Sequence, residues 1–237
     1  LSLHDALPIL FSELVARHYL PANFVKDIKP KPKTDPIRRP LTNYEVEVIV
    51  AHIRQDRALW LAYLLLGWLA IRPGEIRDLR VSQIDLGRGV VTFPGSQSKN
   101  RRNSLVTIPA DLLPEFEAYN LGQYPPDYFL FGAARGRHNA DFVPGPVRIG
   151  INSLSQKFRT LIRRLKKAGA LNDITGLQFY SLKDTLALYL LDNGISVESA
   201  MMHFRHRSLE MFQRYVKRLG VVDPKVRALE VRLPGKK

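Results

Sequence analysis

The 237-residue chain has no cysteine, which excludes a disulfide framework and a cysteine-based zinc site and fits a cytoplasmic setting. Its six histidines are scattered without metal-ligand spacing, so no metal and no other cofactor is expected. Long apolar runs are also missing. The most apolar stretch, Ala58 to Ile71, is about 14 residues, short of the roughly 18 to 20 needed to cross a bilayer, and reads as a buried core helix. No basic-then-apolar leader opens the chain, and no internal repeat is found. Negative charge is scarce: 22 Asp and Glu face 36 Lys and Arg, for a formal charge of +14. Such a surface selects polyanions as partners and says nothing about the fold. Neutralising phosphates gives salt-sensitive affinity without sequence preference, so nucleic acid is the first partner to consider. With 45% hydrophobic and 24% charged residues, the chain is ordinary globular material with a packed core.

The first residues, Leu1 to Ile9 (LSLHDALPI), read as a translated sequencing-library adapter joined to a truncated reading frame, and are expected to be non-native. Leu10 to Leu20 has helical spacing of apolar residues and is closed by Pro21. Pro21 to Pro40 holds five prolines together with Lys31, Lys33, Arg38 and Arg39. It is read as an extended basic linker able to follow a phosphate backbone, with a solvated linker as the bland alternative. The main domain is expected over 41–220, with 221–237 as a tail.

Thr42 and Glu45 form a capping-box pattern ahead of a stripe of Val46, Ile49, Val50 and Ile53. The apolar helix Ala58 to Ala70 should end at Ile71-Arg72-Pro73-Gly74-Glu75, with Pro73 in the first turn of a short helix reaching Leu79. Val90 to Phe93 and Leu105 to Ile108 predict an antiparallel hairpin whose polar loop carries Lys99, Arg101 and Arg102. Asp111 is a candidate cap for the next helix, and Gly132 to Gly150 a surface loop. Helices are then predicted over Ile151 to Ala168, Leu182 to Leu191 and Val197 to Phe204, followed by a last one opened by Ser208 that carries Tyr215.

Single residues among these are weak signals. Arg72 at the edge of an apolar segment is commonly salt-bridged, Lys99 on a loop is commonly solvated, and Tyr215 fits a core-facing aromatic. Their order carries more. An Arg followed by Gly-Glu (Arg72, Gly74, Glu75), a Lys on a hairpin (Lys99), the segment Tyr180-Ser181-Leu182-Lys183, the Arg205-His206 pair and Tyr215 nine residues after His206 resemble the tyrosine recombinase, or phage integrase, family. The resemblance covers roughly Leu41 to Gly220 as the catalytic domain, with 10–40 similar to the end of a truncated core-binding domain and its linker.

The resemblance implies a mixed α/β, mainly α-helical fold with a small antiparallel sheet. It also implies site-specific DNA cutting and rejoining through a 3′-phosphotyrosyl bond, which needs neither ATP nor a metal. Tyr215 would be the nucleophile and Lys99 the general acid for the departing 5′ oxygen. Arg72 would be a forked phosphate clamp oriented by Glu75, and His206 a hydrogen-bonding partner of the phosphate. Arg205, Arg101, Arg102 and the linker cations Lys31, Lys33, Arg38 and Arg39 would contact DNA. The implied partner is duplex DNA, engaged as a homotetramer by a chain that is a monomer when free, in the cytoplasm and encoded by a bacterium or phage.

Two positions depart from the family pattern. Its box expects His or Lys, two variable residues and Arg, where this chain has Tyr180 and Lys183. Lys is a point donor and loses bidentate phosphate recognition. Asp184 beside it is expected to neutralise part of its charge. A Lys here, and Arg-His in place of Gly-His, resemble a branch of mobile-element integrases. The rivals are a catalytically degenerate DNA-binding protein of the same fold and an unrelated basic helical nucleic-acid-binding protein. A type IB topoisomerase, which shares the chemistry, is disfavoured by the short Arg-x-Gly-Glu context.

Overall fold

The computed structural model describes residues 3–26, 38–97, 103–133, 143–206 and 208–218, without the side chains of 3–6, 211, 214, 215, 217 and 218. Lys31, Lys33, Lys99, Arg101, Arg102 and the tail 221–237 lie outside these residues. The chain divides into two units, Leu1–Pro36 and Ile37–Lys237. In the first, α1 (Leu3–Ala16) starts within the stretch expected to be non-native and ends before Leu20, because His18 takes a left-handed backbone (φ 61°). The Phe11 and Phe24 rings meet edge to face at 4.9 Å, and Asn23 donates to the Pro8 carbonyl at 2.9 Å, folding the following turn back on the helix.

The second unit opens with α2 (Asn43–Ile53), and its capping box is formed as the sequence predicts: the Thr42 side chain accepts from the Glu45 backbone while the Glu45 carboxylate accepts from Thr42 N. Next comes α3 (Arg57–Tyr63), capped by Asp56. The predicted helix to Ala70 is not one regular cylinder. From Leu64 to Trp68 it widens into a π-helical turn, and Ala70 follows with φ 52°. Gly67 permits this packing, since a Cβ there would lie 2.9 Å from the Tyr63 ring. The short α4 (Pro73–Asp78) has proline in its first turn, as expected.

A three-stranded antiparallel sheet follows, ordered β1 (Ile84–Asp85), β2 (Val90–Phe93), β3 (Ser104–Thr107). The hairpin was legible; the two-residue β1 was too short to read. Asp111 does not cap α5 (Leu113–Glu117). A 3-10 turn over Ala110–Leu112 intervenes, and no side chain caps the helix. Then come α6 (Ser153–Lys167), α7 (Ser181–Asp192), α8 (Val197–His203) and α9 (Leu209–Arg218).

On α6 the apolar stripe Leu154, Phe158, Leu161, Ile162 and Leu165 is buried, and the Lys157 ammonium reaches Asp56 at 2.7 Å. These residues join the main core of α2, α3, the π turn and the sheet. A smaller core of Ala70, Leu186, Ala187, Leu191, Ala200, Phe204 and Phe212 holds α7, α8 and α9 together. The polar residues of interest lie where the two cores adjoin. No described helix is long and apolar enough to cross a membrane.

Candidate active site

The site begins with the end of the long apolar segment. A helix that stops by widening leaves its last carbonyls without intrahelical donors, and buried carbonyls must be satisfied. Two side chains from the C-terminal half supply the donors. The His203 ring nitrogen Nε2 lies 2.7 Å from the Trp68 carbonyl; a carbonyl only accepts, so that nitrogen carries the proton. Lys183 Nζ donates to the Ala70 carbonyl at 2.6 Å. The chain then turns extended at Arg72 (φ −72°, ψ 148°), and α4 begins with Glu75 accepting from Arg72 N at 2.9 Å.

This turn projects Arg72 outward, with 42% of its side chain exposed, while Glu75 keeps 12%. One Glu75 oxygen accepts from Arg72 Nη1 at 3.2 Å, and the other from Arg205 Nη2 at 2.5 Å. These cations hold the Glu75 carboxyl below its usual value, Arg205 foremost, against the opposing effect of burial. The Arg205 guanidinium also lies over the Phe93 ring at 4.7 Å, and its Nη1 is 3.5 Å from Ser104 Oγ. Phe93 and Ser104 end β2 and begin β3, so the base of the hairpin that bears Lys99 flanks Arg205.

Lys183 departs from the expectation. It is 1% exposed, enclosed by the Ala70 carbonyl and by the Phe204 and Tyr180 rings at 5.0 and 5.8 Å. Burial, then the charges of Arg72 and Arg205, lower its pKa to about 7. It is a buried, hydrogen-bonded group and not an open phosphate contact. Asp184 does offset part of this lowering, as expected, though its effect is smaller than those of burial, Arg72 and Arg205. That fully buried carboxylate takes a two-pronged ion pair from Arg38, at 2.5 Å to Nε and 3.2 Å to Nη2.

Two linker cations are engaged by the same geometry. Arg38 is committed to Asp184 and lies over the Tyr180 ring at 4.3 Å. Arg39 grips Glu45 with both Nη atoms (2.7 and 2.6 Å) and donates to the Thr175 and Asp173 carbonyls. Both guanidiniums tie residues 38–40 to the rest of the second unit through ion pairs that the sequence did not anticipate. Arg205, also expected to meet DNA, is mostly buried against Glu75, with 13% of its side chain exposed. Tyr180 precedes α7, and burial raises its phenol pKa, against the opposing charges of Arg72 and Arg38.

His206 packs edge-on to Phe204 and Phe212, at 6.2 and 5.5 Å between ring centroids. Burial and the neighbouring Lys183 and Arg72 charges lower its pKa to about 4, so it acts as a neutral imidazole at pH 7. Phe212, fully buried on α9, anchors that helix beside His206 one turn before Tyr215. The backbone of Tyr215 lies in α9; its side chain and all of Lys99 fall outside the described atoms. Arg72, Glu75, Tyr180, Lys183, Arg205 and His206 are thus brought together from parts of the chain more than 100 residues apart. A separate cleft lined by His52, Asp56, Lys157, Arg159 and Arg163 contains none of these groups. Sequence reasoning missed His203 as a carbonyl donor and Arg38 as a buried ion-pair partner. The run Ser181 to Asp184, polar at three of four positions at a helix start, was the one available signal.

Residues 39–219 match the family model described as the phage integrase family, and the chain belongs to that family. Among curated proteins, the tyrosine recombinase XerA of Pyrococcus furiosus is 26% identical over 187 residues, covering 78% of this chain and 59% of the relative. The protein of the same name from Thermococcus onnurineus is 27% identical over 192 residues, covering 78% and 60%. The chain therefore spans about three fifths of these relatives. Among solved structures, the Tn1549 transposon integrase in complex with circular intermediate DNA superposes with a TM-score of 0.62 at 14% identity, covering 90% of this chain and 73% of that one. A crystal structure of XerA recombinase gives 0.60 at 19%, covering 91% and 70%. These similarities establish the tyrosine recombinase catalytic-domain fold, mainly helical with a small antiparallel sheet.

Proposed function

We propose that this chain is the catalytic part of a site-specific DNA recombinase that cuts and rejoins strands through Tyr215. The observation that carries the reading is the convergence of Arg72, Arg205, Lys183 and His206 at one place, with α9 anchored beside them by Phe212. A phosphodiester repels nucleophiles, and its transition state gathers charge on the non-bridging oxygens, so fixed cations are the main catalytic requirement. In the proposed step the Tyr215 oxygen bonds to phosphorus and gives its proton to solvent. The bond to the 5′ oxygen breaks, and Lys99 supplies the proton that the leaving oxygen takes up. Arg72, the exposed fork, holds the non-bridging oxygens, and His206 donates a hydrogen bond as a neutral ring. The reverse step rejoins strands, because the phosphotyrosyl bond keeps the energy of the diester.

The relatives carry the names recombinase and integrase, which supports duplex DNA as substrate, a phage, integrative element or transposon as source, and the cytoplasm as location. A homotetramer on paired DNA sites is the assembly that fits this chemistry. The enclosure of Lys183 favours a second reading, a DNA-binding protein of the same fold that no longer cuts. Incubation with random-sequence duplexes carrying one nick, followed by recovery of detergent-resistant protein–DNA adducts, separates the two. Adducts that vanish in Tyr215→Phe support cleavage. Salt-sensitive duplex binding without any adduct supports the second reading.

A further inference from the structure

Arg205 holds a left-handed backbone, φ 55°, in which any side chain is strained relative to glycine. Its contacts must offset that strain, and they centre on Glu75. The carboxylate stands between two guanidiniums, and the shorter bond is to Arg205: 2.5 Å, against 3.2 Å to Arg72. Arg205 and Glu75 are largely enclosed, at 13% and 12% exposure, whereas Arg72 is open. An isolated Arg72–Glu75 pair would be neutral and would hold the fork against its own helix. With Arg205 the trio carries one net positive charge, and Glu75 is already satisfied from the buried side. Lys183, enclosed and donating to the Ala70 carbonyl, and His206, packed between the Phe204 and Phe212 rings, do not present a second open charge beside Arg72.

We propose that Arg205 is a positioning residue for the phosphate clamp: by taking over the Glu75 carboxylate it releases the exposed Arg72 guanidinium to bind the non-bridging oxygens of a phosphodiester. The proposal deepens the cleavage reading and rests on it for its biological meaning, but its electrostatic content is testable without cleavage.

The test uses the full chain with Arg205→Gly, Arg205→Lys, Glu75→Gln and the double variant Glu75→Gln/Arg205→Gly. Inorganic phosphate is titrated while the Arg72 side-chain NMR signal is followed, assigned through Arg72→Lys. Adduct formation is timed on duplexes recovered from the random library. Arg205→Gly removes backbone strain and is expected to weaken phosphate binding at Arg72 by about tenfold, the scale of one partly screened unit charge, and to slow adduct formation. The double variant should recover to within about threefold of the parent, because a neutral amide at position 75 no longer competes for the fork. Arg205→Lys, which keeps a cation, should stay within about threefold as well.

Parent-like phosphate binding by Arg205→Gly overturns the proposal. So does a double variant no better than Arg205→Gly alone, which would mean that Arg205 meets the anion itself or only supports the fold. Should Arg205→Gly not fold, a loss beyond tenfold in Arg205→Lys overturns it. Parent protein that forms no adduct while the phosphate results hold would remove the cleavage reading and leave this one standing.

Discussion

Two regions of the second unit, the main core and the first turn of α7, are built on different physics. Around α2, α3 and α6 the interior is almost wholly apolar, and its stability follows from area removed from water. Around α7 the first helical turn buries Ser181, Lys183 and Asp184; Ser181 is satisfied locally by Gly176 O at 3.4 Å, and Lys183 and Asp184 by distant partners, Ala70 O at 2.6 Å and the Arg38 guanidinium at 2.5 Å. Burying such groups yields little net stability and makes the arrangement sensitive to loss of a single partner. The first region supports the fold, and the second ties α7 to Ala70, two residues before Arg72, and to Arg38.

Mutations should separate the regions. The largest effect is expected for Phe158→Ala in the apolar core, a loss of about 3–5 kcal/mol in urea unfolding; a loss below 1 kcal/mol would mean that α6 packs loosely. Arg72→Ala should leave unfolding nearly unchanged while slowing adduct formation by about 10²–10³-fold, the usual effect of removing one preorganised donor. Retained activity would remove Arg72 from the clamp. Arg38→Ala strands the buried Asp184 carboxylate and should cost about 3 kcal/mol, read as a lower urea midpoint. An unchanged midpoint would place Arg38 back among the free linker cations.

Lys183 gives a pH-dependent contrast. Its folded-state pKa is lowered from 10.5 to about 7, so between those values the unfolded chain binds more protons and stability rises with pH. The cost of burying the charge is full below pH 7 and disappears above 10.5. Lys183→Met should therefore abolish a rise of a few kcal/mol between pH 7 and 10, measured as the difference between variant and parent in urea at both pH values. Parallel curves would mean that Lys183 titrates normally. The smallest effect is expected at the cap of α2, where Thr42→Ala should cost about 1 kcal/mol and leave adduct formation unchanged.

Much of this scaffold was legible because its signals are local. The capping box of Thr42 and Glu45, the helix expected over Ile151 to Ala168, the hairpin and the proline at the start of α4 all rest on signals within a few residues. The π turn at Leu64–Trp68 was not legible, since its carbonyls are completed by His203 and Lys183 from far along the chain. The ion pairs of Arg38 and Arg39 were not legible for the same reason. In sequence they belong to a basic proline-rich run, and in space they belong to Asp184 and Glu45.

The sequence by itself determined where most helices and the hairpin form, that the chain is strongly basic, and the order of the residues that resembles the phage integrase pattern, because propensity, capping, periodicity and charge are properties of neighbouring residues. Only the tertiary structure decided that Lys183 is enclosed, that Asp184 belongs to Arg38, and that Glu75 is shared between Arg72 and Arg205. Those outcomes depend on desolvation and on which partner lies across the interior, quantities that exist only after distant segments have packed together.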